Sequence, residues 1–265
     1  AGNPANRTDP SGNDFSIAST LFASAQGLVV RGQEILKTRK ALLNAKKASI
    51  TTTRLLAGAM AVGAVVDDMG NHRQVDKWFG AGLVETVSSA LALPEFGTTV
   101  SIGIHLVAKG VMALTAMKLL DNEEIYITAE GVGILTSGSI AEAKEQWAMD
   151  SNAHNKCSTD VKTYHALAWA YRQAKPQRVE LCRGFFFQPH IPTPDVLKMA
   201  GRASMPGIFL HEFTHLAAST IDNEYECADS TVLALVGKGN PVKALANADS
   251  YRCWAEAASL GWVGK

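Results

Sequence analysis

The chain has no surplus of charge. Its 25 Lys and Arg balance 25 Asp and Glu, for a formal net charge of zero. Without a cationic field nothing gathers a phosphate backbone, so no nucleic-acid partner is expected. Charge is sparse overall, at 19% of residues, whereas 47% are apolar. That balance excludes a disordered chain and supplies a real core. A basic-then-apolar leader is missing, since the start, Ala1-Gly2-Asn3-Pro4, is polar. The expectation is that targeting information has been removed or that export needs none. No C-x-x-C pair occurs among Cys157, Cys182, Cys227 and Cys253, so a thiolate zinc site is poorly supported. Two disulfides in an oxidising compartment are expected, in any of three connectivities, against the plainer reading of buried free thiols. There is no internal repeat and no long charged tract.

The 265 residues suffice for one large domain or two small ones. Composition divides them near residue 150. Residues 1–15 are rich in Gly, Asn, Pro and Asp and read as a flexible lead-in. Residues 16–150 read as a helical apolar unit. Apolar pairs recur at Leu21/Phe22, Leu28/Val29, Ile35/Leu36 and Leu42/Leu43, which predicts one long helix with a single stripe. Its other face is basic, a solvated surface or a meeting place for anionic lipid. Apolar runs follow over Leu55–Val66, Gly80–Leu93 and Thr98–Leu120. The last is long enough for a membrane, but Lys109 near its middle argues against a stable span. A buried helical layer and a segment that inserts into membrane both remain open. Residues Glu123–Thr136 read equally as a hairpin or as the end of that layer, and Ser139–Asp150 as a helix.

The chemistry sits in Gly207–Cys227, GIFLHEFTHLAASTIDNEYEC. On a helix His211 and His215 stand one turn apart on one face, where two imidazoles can bind one zinc ion. Glu212 reaches the open side of such a metal and can take a proton from water. H-E-x-x-H is short and arises by chance, so a third ligand decides its weight. The helix should end near Ser219, and Asp222, seven residues past His215, can fold back as that ligand, with Glu224 as the alternative. Three protein ligands leave the open position of a catalytic zinc. Asn240-Pro241 forms a cap and first turn, which predicts a helix over Val242–Leu260.

Thr220-x-Asp222-x-x-Tyr225 after H-E-x-x-H resembles the aspzincin metallopeptidases, the deuterolysins and peptidyl-Lys metalloendopeptidases. The resemblance implies His211, His215 and Asp222 as zinc ligands, Glu212 as general base and Tyr225 as the hydroxyl that stabilises the oxyanion. Val179-Glu180-Leu181-Cys182 is similar to the family's edge strand lining the substrate cleft, and Cys157 opens a helix much as its first cysteine does. Asn247-Ala248-Asp249 is similar to a segment on the helix that closes the site. Arg252, Asp249 and Phe185 are therefore the candidates for substrate contact, with Asp249 also placed to hydrogen-bond a zinc histidine. Arg252 stands where lysine-specific members carry an acidic residue, and a cation there would repel a substrate lysine. The glycines that flank the family's motif are replaced by Ser219 and Glu226, which predicts a different turn around Asp222.

The expected fold is mainly α (α+β): a helical N-terminal unit, then a zincin-like domain over 151–265 with an active-site helix and a small β-sheet or hairpin. The expected activity is that of a zinc endopeptidase acting on protein or peptide substrates. An apolar helical unit ahead of an enzymatic C-terminal part looks like a secreted bacterial toxin or effector. That analogy implies an immunity or inhibitor protein, action in the periplasm, and membrane contact by the N-terminal helices. The alternative is a membrane-active or protein-binding effector whose zinc site is structural or vestigial.

Overall fold

The computed structural model describes residues 39–120, 125–129, 133–134, 167–174, 177–199, 202–227 and 240–263. The lead-in, the start of the heptad helix, the Ser139–Asp150 helix and the helix opened by Cys157 lie outside them.

The fold is mainly α with one small sheet. Helix α1 (Arg39–Asp67) joins the end of the heptad stretch to the Gly/Ala-rich run. Asp68 follows it and accepts the backbone N–H groups of Gln74 (3.1 Å) and Val75 (2.7 Å), which starts α2 (Arg73–Phe79). Gly80, in the left-handed region at φ 75°, ends α2 and leads into α3 (Ala81–Ala90). Pro94 does more than stop the preceding run. It is the first residue of α4 (Pro94–Leu120), where a missing N–H costs nothing.

Beyond its first turn helix α4 turns its basic side chains inward. His105 Nε2 lies 2.7 Å from Asp76 Oδ1, and Lys109 donates to the Asp68 carbonyl at 3.2 Å. Lys118 donates to the carbonyl of Leu216 at 2.9 Å. Among the described residues two helices are long and apolar enough to cross a membrane by length and composition alone. Of Ile50–Asp67, 67% is buried inside the fold; of Pro94–Leu120, 33%.

Strands β1 (Tyr126–Ala129) and β2 (Gly133–Ile134) pair antiparallel, so the Glu123–Thr136 stretch contains a hairpin. With β3 (Ala168–Tyr171) and β4 (Arg178–Leu181) they form one sheet in the order β2-β1-β4-β3. The expectation that Val179–Cys182 forms an edge strand is corrected here. Strand β4 is interior, parallel to β1 and antiparallel to β3, and all four of its residues are buried. Strand β3 is an edge, and it packs against the helix that carries the H-E-x-x-H motif.

That helix, α5 (Met205–Ala218), is capped by Ser204, whose Oγ accepts the Gly207 N–H at 3.0 Å. The helix expected over Val242–Leu260 is instead two: α6 (Pro241–Leu245) and α7 (Ala248–Val263). The interruption has a purpose, since Ile221 bridges to Asn247 across it. Asn240 caps α6 as expected, its Oδ1 accepting the Lys243 N–H.

Helices α1, α4 and α7 all pack on α5. One hydrophobic core runs through Leu56, Met60, Met112, Val179, Phe209 and Trp254, and so crosses the sequence boundary near residue 150. Arg54 ties its parts together. Its guanidinium donates to the carbonyls of Lys118 and Leu119 at 2.9 Å and lies over the Phe213 ring.

Candidate metal centre

Helix α5 is buried along nearly its whole length, because three helices and a strand surround it. Close packing at its start requires Gly207. A Cβ there would collide with the Glu256 carboxylate of α7. Four residues later His211 projects from the helix, and His215 one turn beyond, both side chains about one-tenth exposed.

After Ala218 the chain must reverse. Ser219 does this in the left-handed conformation at φ 55°, and Glu226 closes the same loop at φ 72°. These are the two positions where the family resemblance puts glycine. The left-handed backbone that glycine favours is therefore kept here by residues with side chains, at a cost of roughly 1–2 kcal/mol each. Between them Ile221 is pinned by two backbone hydrogen bonds, its N–H to the Ala246 carbonyl and its carbonyl from the Ala248 N–H. Asn247 Oδ1 accepts the N–H groups of Asn223 (2.9 Å) and Glu224 (3.0 Å). Asp222, held between these anchors, faces the two histidines.

The result is a triangle. His211 Nε2 and His215 Nε2 are 3.2 Å apart, and Asp222 Oδ1 lies 3.1 Å from the first and 3.2 Å from the second. A tetrahedral zinc with bonds of about 2.0–2.1 Å needs ligand atoms about 3.3 Å apart. The donor set fits zinc in both chemistry and spacing. Among the described residues it is the one group of His, Cys, Asp or Glu with such convergence. Glu224, the alternative third ligand, is not in it.

Both imidazoles are oriented from behind. His215 Nδ1 donates to the Thr220 carbonyl at 2.7 Å, and His211 Nδ1 donates to Asp249 Oδ1 at 2.6 Å. Each bond leaves the Nε2 lone pair pointing at the triangle. Burial pushes the His211 imidazole down, but the Asp249 charge and the ring's hydrogen bonds to Asp222 and Asp249 outweigh it, carrying its pKa up to about 10. Asp222 keeps one side open to solvent, and although partial desolvation works the other way its hydrogen bonds to both histidines hold it below the usual carboxylate range. The cluster, taken without a metal, holds a proton tightly because it favours positive charge at its centre.

Glu212 is buried, and burial raises its pKa while the two imidazoles partly counter that rise. No hydrogen bond from its carboxylate to another described residue exists, so the group is free to handle a proton. Tyr225 is 55% exposed, with its ring stacked on His211 at 6.3 Å between centroids. Burial and the Asp222 charge raise its pKa, so the phenol keeps its proton at neutral pH and can donate it in a hydrogen bond.

All three expected substrate contacts are buried in the fold. Arg252 is 3% exposed. It grips Asp249 with Nε (2.7 Å) and a terminal nitrogen (2.8 Å) and reaches Glu256 with the other at 2.9 Å. Its guanidinium is thus engaged within the fold, chiefly by the two carboxylates of its own helix. Phe185 is 1% exposed and packs edge-on against Phe209, behind α5. Asp249 is likewise buried, and its place is against His211 and Arg252 rather than in a cleft.

Sequence reasoning missed a polar line that continues from there. Glu256 Oε1 accepts both the backbone N–H (2.8 Å) and hydroxyl (2.6 Å) of Ser204, the cap of α5. Metal-facing His211 is thus connected through Asp249, Arg252 and Glu256 to the start of its own helix. The i, i+3 and i, i+4 spacing of these charges on α7 was the available signal.

The far end of the loop is fixed to α7 twice over. The Asp249 Oδ2 accepts the Glu226 N–H, and Cys227 forms a disulfide with Cys253. Cys182 is also disulfide-bonded. Closing the Cys227–Cys253 loop, 26 residues in sequence, is worth roughly 3 kcal/mol of chain entropy.

Residues 136–256 match the aspzincin family, described as lysine-specific metallo-endopeptidase, and so the C-terminal part resembles that family as its motifs indicate. Among solved structures, a zinc peptidase from Grifola frondosa is similar at 14% identity, over 80% of this chain and 94% of that one, with a TM-score of 0.49. No curated protein sequence matches.

Proposed function

Proceeding from the match of residues 136–256 to the aspzincin family, we propose that this protein is a zinc-dependent endopeptidase. The observation that carries the proposal is the triangle of His211 Nε2, His215 Nε2 and Asp222 Oδ1, 3.1–3.2 Å on each side. These residues would hold zinc, with Asp249 and the Thr220 carbonyl fixing the imidazoles. When bound, zinc supplies a Lewis acid that lowers the pKa of water and polarises a peptide carbonyl.

The remaining work falls to the protein. Glu212, next to His211 and free of hydrogen bonds to other described residues, accepts a proton from the attacking water and passes it to the leaving amine. Its raised pKa suits both halves of that transfer. The Tyr225 hydroxyl, protonated at neutral pH, donates a hydrogen bond to the oxyanion as charge develops there. Substrates are proteins or peptides. The Cys227–Cys253 disulfide supports an exported protein acting outside a reducing cytosol. The attachment to an apolar helical unit supports a toxin or effector role, with an inhibitor protein guarding the producer.

Metal content of the purified protein, combined with Glu212→Gln, tests the reading. About one zinc per chain in both proteins, with peptide hydrolysis at least a thousandfold slower in the variant, is expected. Absence of zinc, or hydrolysis near the parent rate in Glu212→Gln, would overturn it.

A further inference from the structure

Tyr225 is 55% exposed, and its side chain is held by the stacking of its ring on His211 and by a hydrogen bond its hydroxyl donates to Asp222. To serve an oxyanion the hydroxyl must turn away from Asp222, and stacking on one ring lets a phenol slide. At that moment the backbone on either side of residue 225 has to keep the hydroxyl where charge develops.

The two sides are held differently. Before Tyr225 the loop is sewn to the α6–α7 junction by the two backbone hydrogen bonds of Ile221 and by the Asn223 and Glu224 N–H groups on Asn247 Oδ1. Asp222 lies among these anchors. After Tyr225 the chain is tied to α7 by the Glu226 N–H, which Asp249 Oδ2 accepts, and by the Cys227–Cys253 disulfide. Glu226 is left-handed at φ 72°, a strain of the same order as the net worth of a hydrogen bond, so the bond to Asp249 is largely offset. The covalent tie one residue further on decides the balance. Its other end is rigid, because Cys253 sits on α7 between Arg252 and Trp254, all three buried.

We propose that the Cys227–Cys253 disulfide is a redox-set clamp that positions Tyr225, so that turnover depends on the disulfide while metal binding does not. The inference rests on the zinc-endopeptidase reading with Tyr225 as oxyanion donor. Closing the clamp is a two-electron oxidation. The thiols of Cys227 and Cys253 form one S–S bond and pass two protons and two electrons to a disulfide oxidant, R–S–S–R, which leaves as two R–SH thiols. Cys227 is 2% exposed and Cys253 0%, so in the intact fold the closed bond lies out of reach of a dithiol reductant. The clamp therefore closes once, on folding in an oxidising compartment. The chain folded under reducing conditions is a zinc-binding protein of low turnover.

Peptide turnover and zinc content of the full chain test the clamp, in the oxidised parent, in Cys227→Ala/Cys253→Ala, and in each with Tyr225→Phe added. In the parent Tyr225→Phe should slow kcat about 100-fold. The alanine pair should keep about one zinc per chain and the parental KM but lose roughly tenfold or more in kcat. Adding Tyr225→Phe to the pair should then cost no more than about twofold, because the hydroxyl is already out of place. Glu226→Gly in the alanine pair, which relieves the left-handed strain, should restore part of the lost kcat. An alanine pair as active as the parent overturns the clamp and leaves the peptidase reading standing. So does a pair that keeps the whole effect of Tyr225→Phe. A pair that no longer folds or binds zinc overturns it too, since the disulfide would then hold the whole fold or Asp222 rather than Tyr225. An oxidised parent without zinc or hydrolysis overturns the peptidase reading itself, and the clamp with it.

Discussion

Asp249 and Asp222 hold opposite sides of one imidazole: Asp249 Oδ1 lies 2.6 Å from Nδ1 of His211, and Asp222 Oδ1 lies 3.1 Å from its Nε2. The ring can neither rotate nor change tautomer without breaking the rear contact. A metal arriving at the front therefore finds Nε2 already aimed, with a proton to displace but no orientation left to freeze. Asp249 in turn is fixed by the two-pronged grip of Arg252.

Replacing Asp249 by Asn should weaken zinc binding about 10- to 100-fold while leaving all three ligands in place. An amide cannot supply the charge that favours a cation across the ring. The same change leaves Arg252 with Glu256 alone as a charged partner in a buried site, which should cost on the order of 3 kcal/mol of folding stability. Competition against a chromophoric chelator measures the first effect and denaturant melts the second. Unchanged zinc affinity in a folded variant would remove Asp249 from the metal site.

How far this site could be read from sequence depended on distance along the chain. His211, Glu212 and His215 are one helical turn, so their shared face follows from 3.6 residues per turn and from nothing else. Asp222 was within reach as the residue past a turn, but what holds it, Asn247 and the Ile221 bridge, comes from 24 or more residues away. Arg252 was misjudged for the same reason. Its spacing to Asp249 and Glu256 was plain, whereas its burial depends on α7 packing against α5 and α1. Strand β4 read as an edge from its likeness to the family's edge strand, and its partner β1 lies some fifty residues upstream, in a stretch equally readable as helix. Local geometry was legible; burial, which needs remote partners, was not.

The metal-free protein should lose stability as pH rises. His211 has a folded pKa of about 10 against an ordinary 6.5, so its proton contributes stability fully below about pH 6.5. That contribution, on the order of a few kcal/mol, fades as pH climbs through 10. Asp222 and Asp249, held low, act in the opposite sense, contributing above about pH 4 and failing in acid. Melts in chelator should thus show a maximum near pH 5–6.5 and a decline to pH 10. Zinc must displace the His211 proton, so titration at pH 7–8 should release about one proton per metal, seen as a buffer-dependent heat. A flat melting profile from pH 6.5 to 10 together with no proton release would mean that His211 is neutral before the metal arrives.

The left-handed residue at the end of α5 offers a separate check on the loop that carries Asp222. Ser219 is exposed, so its side chain contributes little packing, yet its φ of 55° crowds the Cβ against its own backbone. Glycine removes that crowding but loses more freedom on folding, by about 0.5–1 kcal/mol. Ser219→Gly should therefore leave the protein equally stable or stabilise it by up to about 1 kcal/mol, with zinc affinity retained. Ser219→Val makes the opposite demand, since a β-branched residue is a poor fit to this region. It should destabilise the fold by about 1–3 kcal/mol and weaken zinc binding, because the strained turn and the third ligand lie only three residues apart. Thermal melts and zinc titrations on the pair decide the matter. If valine were tolerated as well as glycine, the turn would not be held in the left-handed form, and the register that delivers Asp222 to the histidines would have to come from the anchors beyond it, the Ile221 backbone bonds and Asn247.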